Sequence, residues 1–212
     1  DKGTEFYFND DLNKSYNCFI IGSKKGDGYS NGILGWMYEN GVGVEQDYKK
    51  AFEARLSGAS KGDAFAQGGL AWHYMMGVET ELDYDLSFKW FKLAAEQGDT
   101  FGLQGLAWHY ENGNGVEQNG IEAFKLMSLA AEQNDPEAMN DLGVYYVNGI
   151  GVEKDYEKAV NWYLKAAKQG NAEAQGNLGF HYAMGYGVEQ DYDQAYKWRL
   201  KGATQGDAYA QG

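Results

Sequence analysis

The residues with chemistry to offer in this 212-residue chain are three histidines, one cysteine and a surplus of carboxylates. His73, His109 and His181 fall in one column of a 36-residue period. Copies of a position in adjacent helical repeats lie about 10 Å apart, one helix diameter. A metal holds its ligands at about 2 Å, so the column does not predict a shared zinc site. Histidines are not paired at i and i+4, Cys18 has no histidine near it in sequence, and Gly-x-Ser-x-Gly and Gly-Lys-Ser/Thr runs are lacking. Gly113-Asn114-Gly115 and Gly149-Ile150-Gly151 look like nucleotide loops, but they follow helical rather than strand patterns and recur as turns. Most carboxylates read as helix caps, and an acid–base pair does not stand out. The expectation is a non-enzymatic chain that uses neither cofactor nor metal.

Composition narrows the partners. With 18 basic against 31 acidic residues the net charge is -13, which repels nucleic-acid backbones and anionic membrane surfaces. Direct membrane insertion is not expected either, because a run of about 18 apolar residues is lacking. Asp1 to Asp11 lack the basic-then-apolar order of a secretory signal, although a removed signal leaves a periplasmic or secreted location open. Cys18 cannot form an internal disulfide, and its neighbours Phe19, Ile20 and Ile21 predict burial.

The elements that must position these residues repeat. Leu34, Leu70, Leu106, Leu142 and Leu178 recur every 36 positions, as do Tyr38, Tyr74, Tyr110, Tyr146 and Tyr182, and Ala59, Ala95, Ala131, Ala167 and Ala203. A single repeat domain over 1–212 follows, with full units 27–62, 63–98, 99–134, 135–170 and 171–206. Residues 1–26 hold part of an earlier unit and 207–212 begin another, which reads as a portion of a longer array.

Each unit reads as two helices. In the fourth, Asp135 caps the first helix with Pro136 in its first turn, and Ala138, Leu142 and Tyr146 form one apolar stripe. Gly149 and Gly151 end it; Asp155 caps the second, which carries Tyr156, Ala159, Val160, Tyr163, Ala166 and Ala167 on one face. Gly26, Gly62, Gly98, Gly170 and Gly206 occupy a left-handed helix end, with Asn134 standing in once. Gly35, Gly143 and Gly179, in a column with Ala71 and Ala107, are expected to let the two helices of a hairpin approach. Two departures, Glu79-Thr80 in place of Gly-Val and Gly120 in place of Tyr, are expected to loosen local turns. One hairpin cannot bury its apolar face alone, so the units must stack.

The runs Leu142-Gly143 with Tyr146, Gly149 and Gly151-Val152, then Asp155-Tyr156-Glu157-Lys158-Ala159 and Trp162-Tyr163-Leu164-Lys165-Ala166-Ala167, resemble the Sel-one-like repeat, a relative of the tetratricopeptide repeat. Leu34-Gly35-Trp36-Met37-Tyr38-Glu39-Asn40-Gly41 resembles it too, and the likeness runs from Asp11 to Gly212. The resemblance implies an all-α, right-handed superhelical solenoid with first helices lining a concave wall. It also implies a bacterial scaffold or adaptor that binds a protein or peptide, as a secreted, periplasmic or toxin-neutralising factor. Cysteine-rich relatives raise a hydrolase of cell-wall or β-lactam type as an alternative, but their cysteine pairs are missing here; an architectural spacer or oligomerisation rod is another.

A second stripe suggests where a partner would bind. On the first helix Phe65, Trp72 and Met76 lie within about 40° of one another and about 140° from Leu70. Tyr29 and Trp36, Phe101 and Trp108, and Phe180 and Met184 are equivalent, while Val144 interrupts the series. Exposed, these rings form an aromatic ladder for binding, flanked by a polar rim of Glu39, Asn40, Glu111 and Asn112. Packed against the next unit, they complete the core, and the acids are solvation. Trp90, Trp162 and Trp198 on the second helices read as packing, and Lys89, Lys125, Lys165 and Lys197 as solvated outer faces.

Overall fold

The computed structural model describes residues 12–204, and these form eleven α-helices and no strand. They are α1 (Leu12–Lys24), α2 (Gly28–Asn40), α3 (Tyr48–Ala59), α4 (Ala64–Met76), α5 (Tyr84–Glu96), α6 (Thr100–Asn112), α7 (Gly120–Glu132), α8 (Pro136–Asn148), α9 (Tyr156–Lys168), α10 (Ala172–Met184) and α11 (Tyr192–Ala203). Even-numbered helices open a repeat and odd-numbered helices close it. None of them is long and apolar enough to cross a membrane. The readings placed on Gly206 and 207–212, and on residues 1–11, lie outside the described residues.

Helix starts follow from the caps. Asp27, Asp63, Asp135 and Asn171 each accept the backbone N–H three residues on and open α2, α4, α8 and α10. Asp47, Asp83, Asn119, Asp155 and Asp191 do the same for α3, α5, α7, α9 and α11. Each cap satisfies an otherwise orphaned donor and contributes about 1 kcal/mol. At the closing ends Gly26, Gly62, Gly98, Gly170 and Asn134 all have positive φ, as the left-handed column requires.

The described chain divides into two compact units, 12–109 with 114–117, and 110–113 with 118–204. Both are built from the same hairpin. In the first, α2 packs on α3 and α4 on α5, and stacking of the hairpins brings α3 and also α2 against α4. In the second, α8 packs on α9 and α10 on α11, with α7 against α8 and α9 against α10. Leu34, Leu70, Leu106, Leu142 and Leu178 are all buried, as is most of the alanine column. Cys18 is only half-buried, contrary to expectation, because α1 turns Ile21 outward and keeps Phe19 inside.

The two departures do not loosen their turns. Glu79 takes φ 57°, the left-handed geometry that Gly43, Gly115, Gly151 and Gly187 adopt in the same column. The bonds Val78 N to His73 O (3.1 Å) and Asp83 N to Tyr74 O (2.9 Å) match those of the other repeats. Gly120 starts α7 without strain, since Asn119 supplies the cap.

Candidate functional site

The glycine column makes room for side chains. A Cβ on Gly35 would lie 2.7 Å from Arg55, one on Gly143 2.6 Å from Tyr163, and one on Gly179 2.7 Å from Arg199. In the first unit Gly69 clears the other flank of Arg55, and Gly105 clears Phe91. Arg55, Phe91, Met127, Tyr163 and Arg199 share one column, and the small residues opposite them fit its bulk. Arg55 is therefore held between two hairpins and buried.

A buried guanidinium needs a partner. Arg55 Nε and Nη2 donate to Glu39 Oε1 and Oε2 at 2.9 and 2.6 Å, and Nη1 donates to the Phe65 carbonyl at 3.1 Å. Its Cζ lies 4.5 Å from the centre of the Phe65 ring. His73 Nε2 reaches Glu39 Oε1 at 3.1 Å, while its Nδ1 faces the Val78 carbonyl at 3.0 Å. Burial alone would raise the Glu39 carboxyl; the bonds and charges of Arg55 and His73 outweigh it and hold it at about 2. Glu39 is thus the anchor of a buried cluster rather than a solvated rim residue.

The histidine column is a set of turn staples. Each Nδ1 bonds the carbonyl five residues on: Val78 for His73, Asn114 for His109 and Tyr186 for His181. The acid two residues beyond this column meets the next repeat where it is present. His73 reaches Glu39, and in the second unit the Tyr145 hydroxyl donates to Glu111 at 2.7 Å. His109 instead meets the Ser87 hydroxyl at 2.9 Å. Burial lowers the pKa of both His109 and His181, opposed by their carbonyl bonds. Among the described residues no group of three or more His, Cys, Asp or Glu is placed to hold a metal.

Above the Arg55–Glu39 pair lies an open cleft of about 420 Å³, lined by Trp36, Phe65, Trp72, Phe101, Asn40 and Tyr48 over Gly69. Trp36, Phe65 and Trp72 are half-buried, and Phe101 is 43% exposed. The structure thus gathers four ladder rings from α2, α4 and α6 and leaves the other ladder residues elsewhere. Tyr29 is exposed beside Phe19, Met76 is exposed away from the cleft lining, and half-buried Trp108 packs on Tyr84 at 5.9 Å. Phe180, also exposed, lines a 240 Å³ cavity with Gly176, Asn177 and Arg199 in the second unit, and Met184 is exposed. Asn40 is exposed and donates to the Trp36 carbonyl at 2.8 Å, Glu111 is half-buried under Tyr145, and Asn112 is exposed. Trp90, Trp162 and Trp198 are half-buried; Trp90 packs on Ala59, Ala66 and Leu70, and Lys165 lies 3.6 Å over Trp162.

Sequence reasoning missed Arg55 and Tyr48 as cleft residues. The available signal was an arginine in a column that Phe, Met and Tyr fill in the three following repeats, facing glycine on two helices. A charge at a core position needs a carboxylate, and Glu39 lies on the paired helix.

These features can be set beside known proteins. The Sel1 repeat family matches residues 31–53, 64–99, 102–135, 136–171 and 172–207, and the chain belongs to that family. A Sel1 repeat protein from Oxalobacter formigenes is 30% identical over 99% of this chain and 83% of its own, with a TM-score of 0.83. A protective antigen of uropathogenic Escherichia coli strains, displaying an SLR fold, is 36% identical over 98% of this chain, with a TM-score of 0.77. This chain covers 45% of that antigen's length. An immunity protein from Pseudomonas aeruginosa shares the fold at 18% identity, over 96% of this chain and 81% of its own, with a TM-score of 0.69. No match emerged among curated protein sequences. The fold class is therefore the all-α helix-turn-helix repeat of the Sel1 family.

Proposed function

We propose that this chain is a protein-interaction module that holds a peptide or protein surface in the cleft between α2, α4 and α6. The observation that carries the reading is the grouping of Trp36, Phe65, Trp72 and Phe101, all partly open to solvent, over a rigid ion-paired floor. Large rings fixed on packed helices offer contact area with little ordering cost, and such residues dominate interface energetics. The cleft volume falls within the range of about 300–1,000 Å³ typical of ligand sites. Membership of a repeat family supports a scaffold or adaptor role. The fold shared with an immunity protein makes toxin neutralisation, in a secreted or periplasmic setting, the narrower form of the proposal.

The test is capture of a partner by the intact chain, followed by calorimetric titration against variants. Trp72→Ala should weaken binding by about 2 kcal/mol, roughly thirtyfold, while circular dichroism still reports a folded helical chain. Trp108→Ala should weaken it less, since Trp108 stands against Tyr84 and outside the cleft. Unchanged affinity in a folded Trp36→Ala, Trp72→Ala double variant would overturn the reading.

A further inference from the structure

The charges around the cleft are one-sided. Within the first unit α2, α4 and residues 100–109 of α6 carry neither lysine nor arginine; their basic neighbours sit on the closing helices and loops. Arg55 reaches in from α3, and three carboxylates act on it: Glu39 by direct contact, and the caps Asp63 and Asp99 through their charge. Asp63 also adds its charge to that of Asp99, and the bonds these caps accept come from the neutral backbone N–H groups of Ala66 and Gly102. One guanidinium cannot balance three acids. Phe65 already receives that guanidinium over its ring, and Trp36, Tyr48, Trp72 and Phe101 make up the rest of the aromatic lining. Aromatic faces are electron-rich and attract a cation, best over tryptophan, and low-dielectric walls strengthen the field of nearby acids. Arg55 itself is sealed at 3% exposure, and an anion entering the cleft would meet it already engaged by Glu39.

Resting on the interaction reading above, we infer that the occupant of this cleft is a basic polypeptide segment, one that sets a lysine or arginine side chain against Trp36, Trp72 and Phe101. The cleft is roomy enough for that side chain together with an apolar neighbour, and the overall charge of -13 steers such a segment inward.

The experiment is selection of phage-displayed random dodecapeptides on the intact chain, with Trp72→Ala as the counter-selecting protein and fluorescence titration of synthetic winners. Recovered sequences should be rich in lysine and arginine next to apolar residues, and their affinity should fall as salt rises. Asn40 is exposed at the cleft edge, so Asn40→Lys adds a positive charge without removing packed atoms. It should weaken the basic peptides about two- to fivefold, the effect of one partly screened charge. Trp72-dependent peptides that are acidic or uncharged, or whose affinity ignores salt and Asn40→Lys, would overturn the inference and leave the interaction reading standing. Recovery of nothing that distinguishes the parent from a folded Trp72→Ala chain would remove both.

Discussion

Arg55 and Glu39 meet at two points, Nε on Oε1 and Nη2 on Oε2, where their side chains are only 4% and 13% exposed. Breaking such a pair on one side leaves a charge stranded, which costs more than the intact pair contributes. Glu39→Gln should therefore destabilise the chain by about 3–5 kcal/mol, read from urea midpoints. Replacing both partners by apolar residues, Glu39→Leu with Arg55→Met, should restore most of that loss. A double variant as unstable as the single one would show that the charges are not the reason.

The same carboxylate sets an acid limit. The Glu39 carboxyl stands at about 2 when folded against an ordinary 4.5, so its contribution is complete above about 4.5 and is lost as pH falls towards 2. Urea midpoints of the parent should drop over that window relative to those of Glu39→Gln.

Asp141 behaves in the opposite way. Burial first, then the charges of Glu173, Glu137 and Asp135, raise it from 3.8 to about 6, against the bond from Asn140. Its contribution is present below 3.8 and is lost as pH rises through 6, so at pH 7 it weakens the fold. Asp141→Asn should raise stability at pH 7 by about 1–3 kcal/mol and flatten the profile between pH 4 and 6, as thermal melts at stepped pH would show.

Glu79 is a natural strain point. It holds φ 57° where the other repeats place glycine, a geometry that costs a side-chain-bearing residue about 1–2 kcal/mol. Glu79→Gly relieves that strain but loosens the unfolded chain by about 0.5–1 kcal/mol. The net expectation is a gain of up to about 1 kcal/mol in calorimetric melts. A loss would mean that the Glu79 side chain stabilises the turn.

Two glycines on opening helices should answer oppositely to alanine. A methyl on Gly105 drives into the fully buried Phe91 ring, costing about 1–3 kcal/mol in overpacking against about 1 kcal/mol of helix propensity. On Gly68 the nearest atom is Phe101 Cδ1 at 3.1 Å, on a ring exposed enough to yield. Gly105→Ala should lower the urea midpoint; Gly68→Ala should hold or raise it.

Much of this was legible in the residues. Caps, left-handed helix ends and the leucine core follow from local rules that recur every 36 positions, so each repeat confirmed the last. The ladder was legible as a stripe, yet only Trp36, Phe65, Trp72 and Phe101 converge, because that depends on which neighbour each ring meets. Trp108 turns to Tyr84, a pairing between repeats that periodicity within one helix does not encode. Glu39 read as a surface acid because its partners lie 16 and 34 positions away. The histidines read as a column without a task, since the carbonyl that each one bonds carries no side-chain signature.

The Arg55 clasp has a mechanical consequence. Its guanidinium is tied to α2 through Glu39 and to α4 through the Phe65 carbonyl, and Glu39 is tied to α4 again through His73. In a stacked array, opening spreads by releasing one neighbour at a time, and it halts at the joint that releases least readily. Hairpins 27–62 and 63–98 therefore share one fate: their amides should exchange with solvent as a single block, as though the cleft were welded across its own seam.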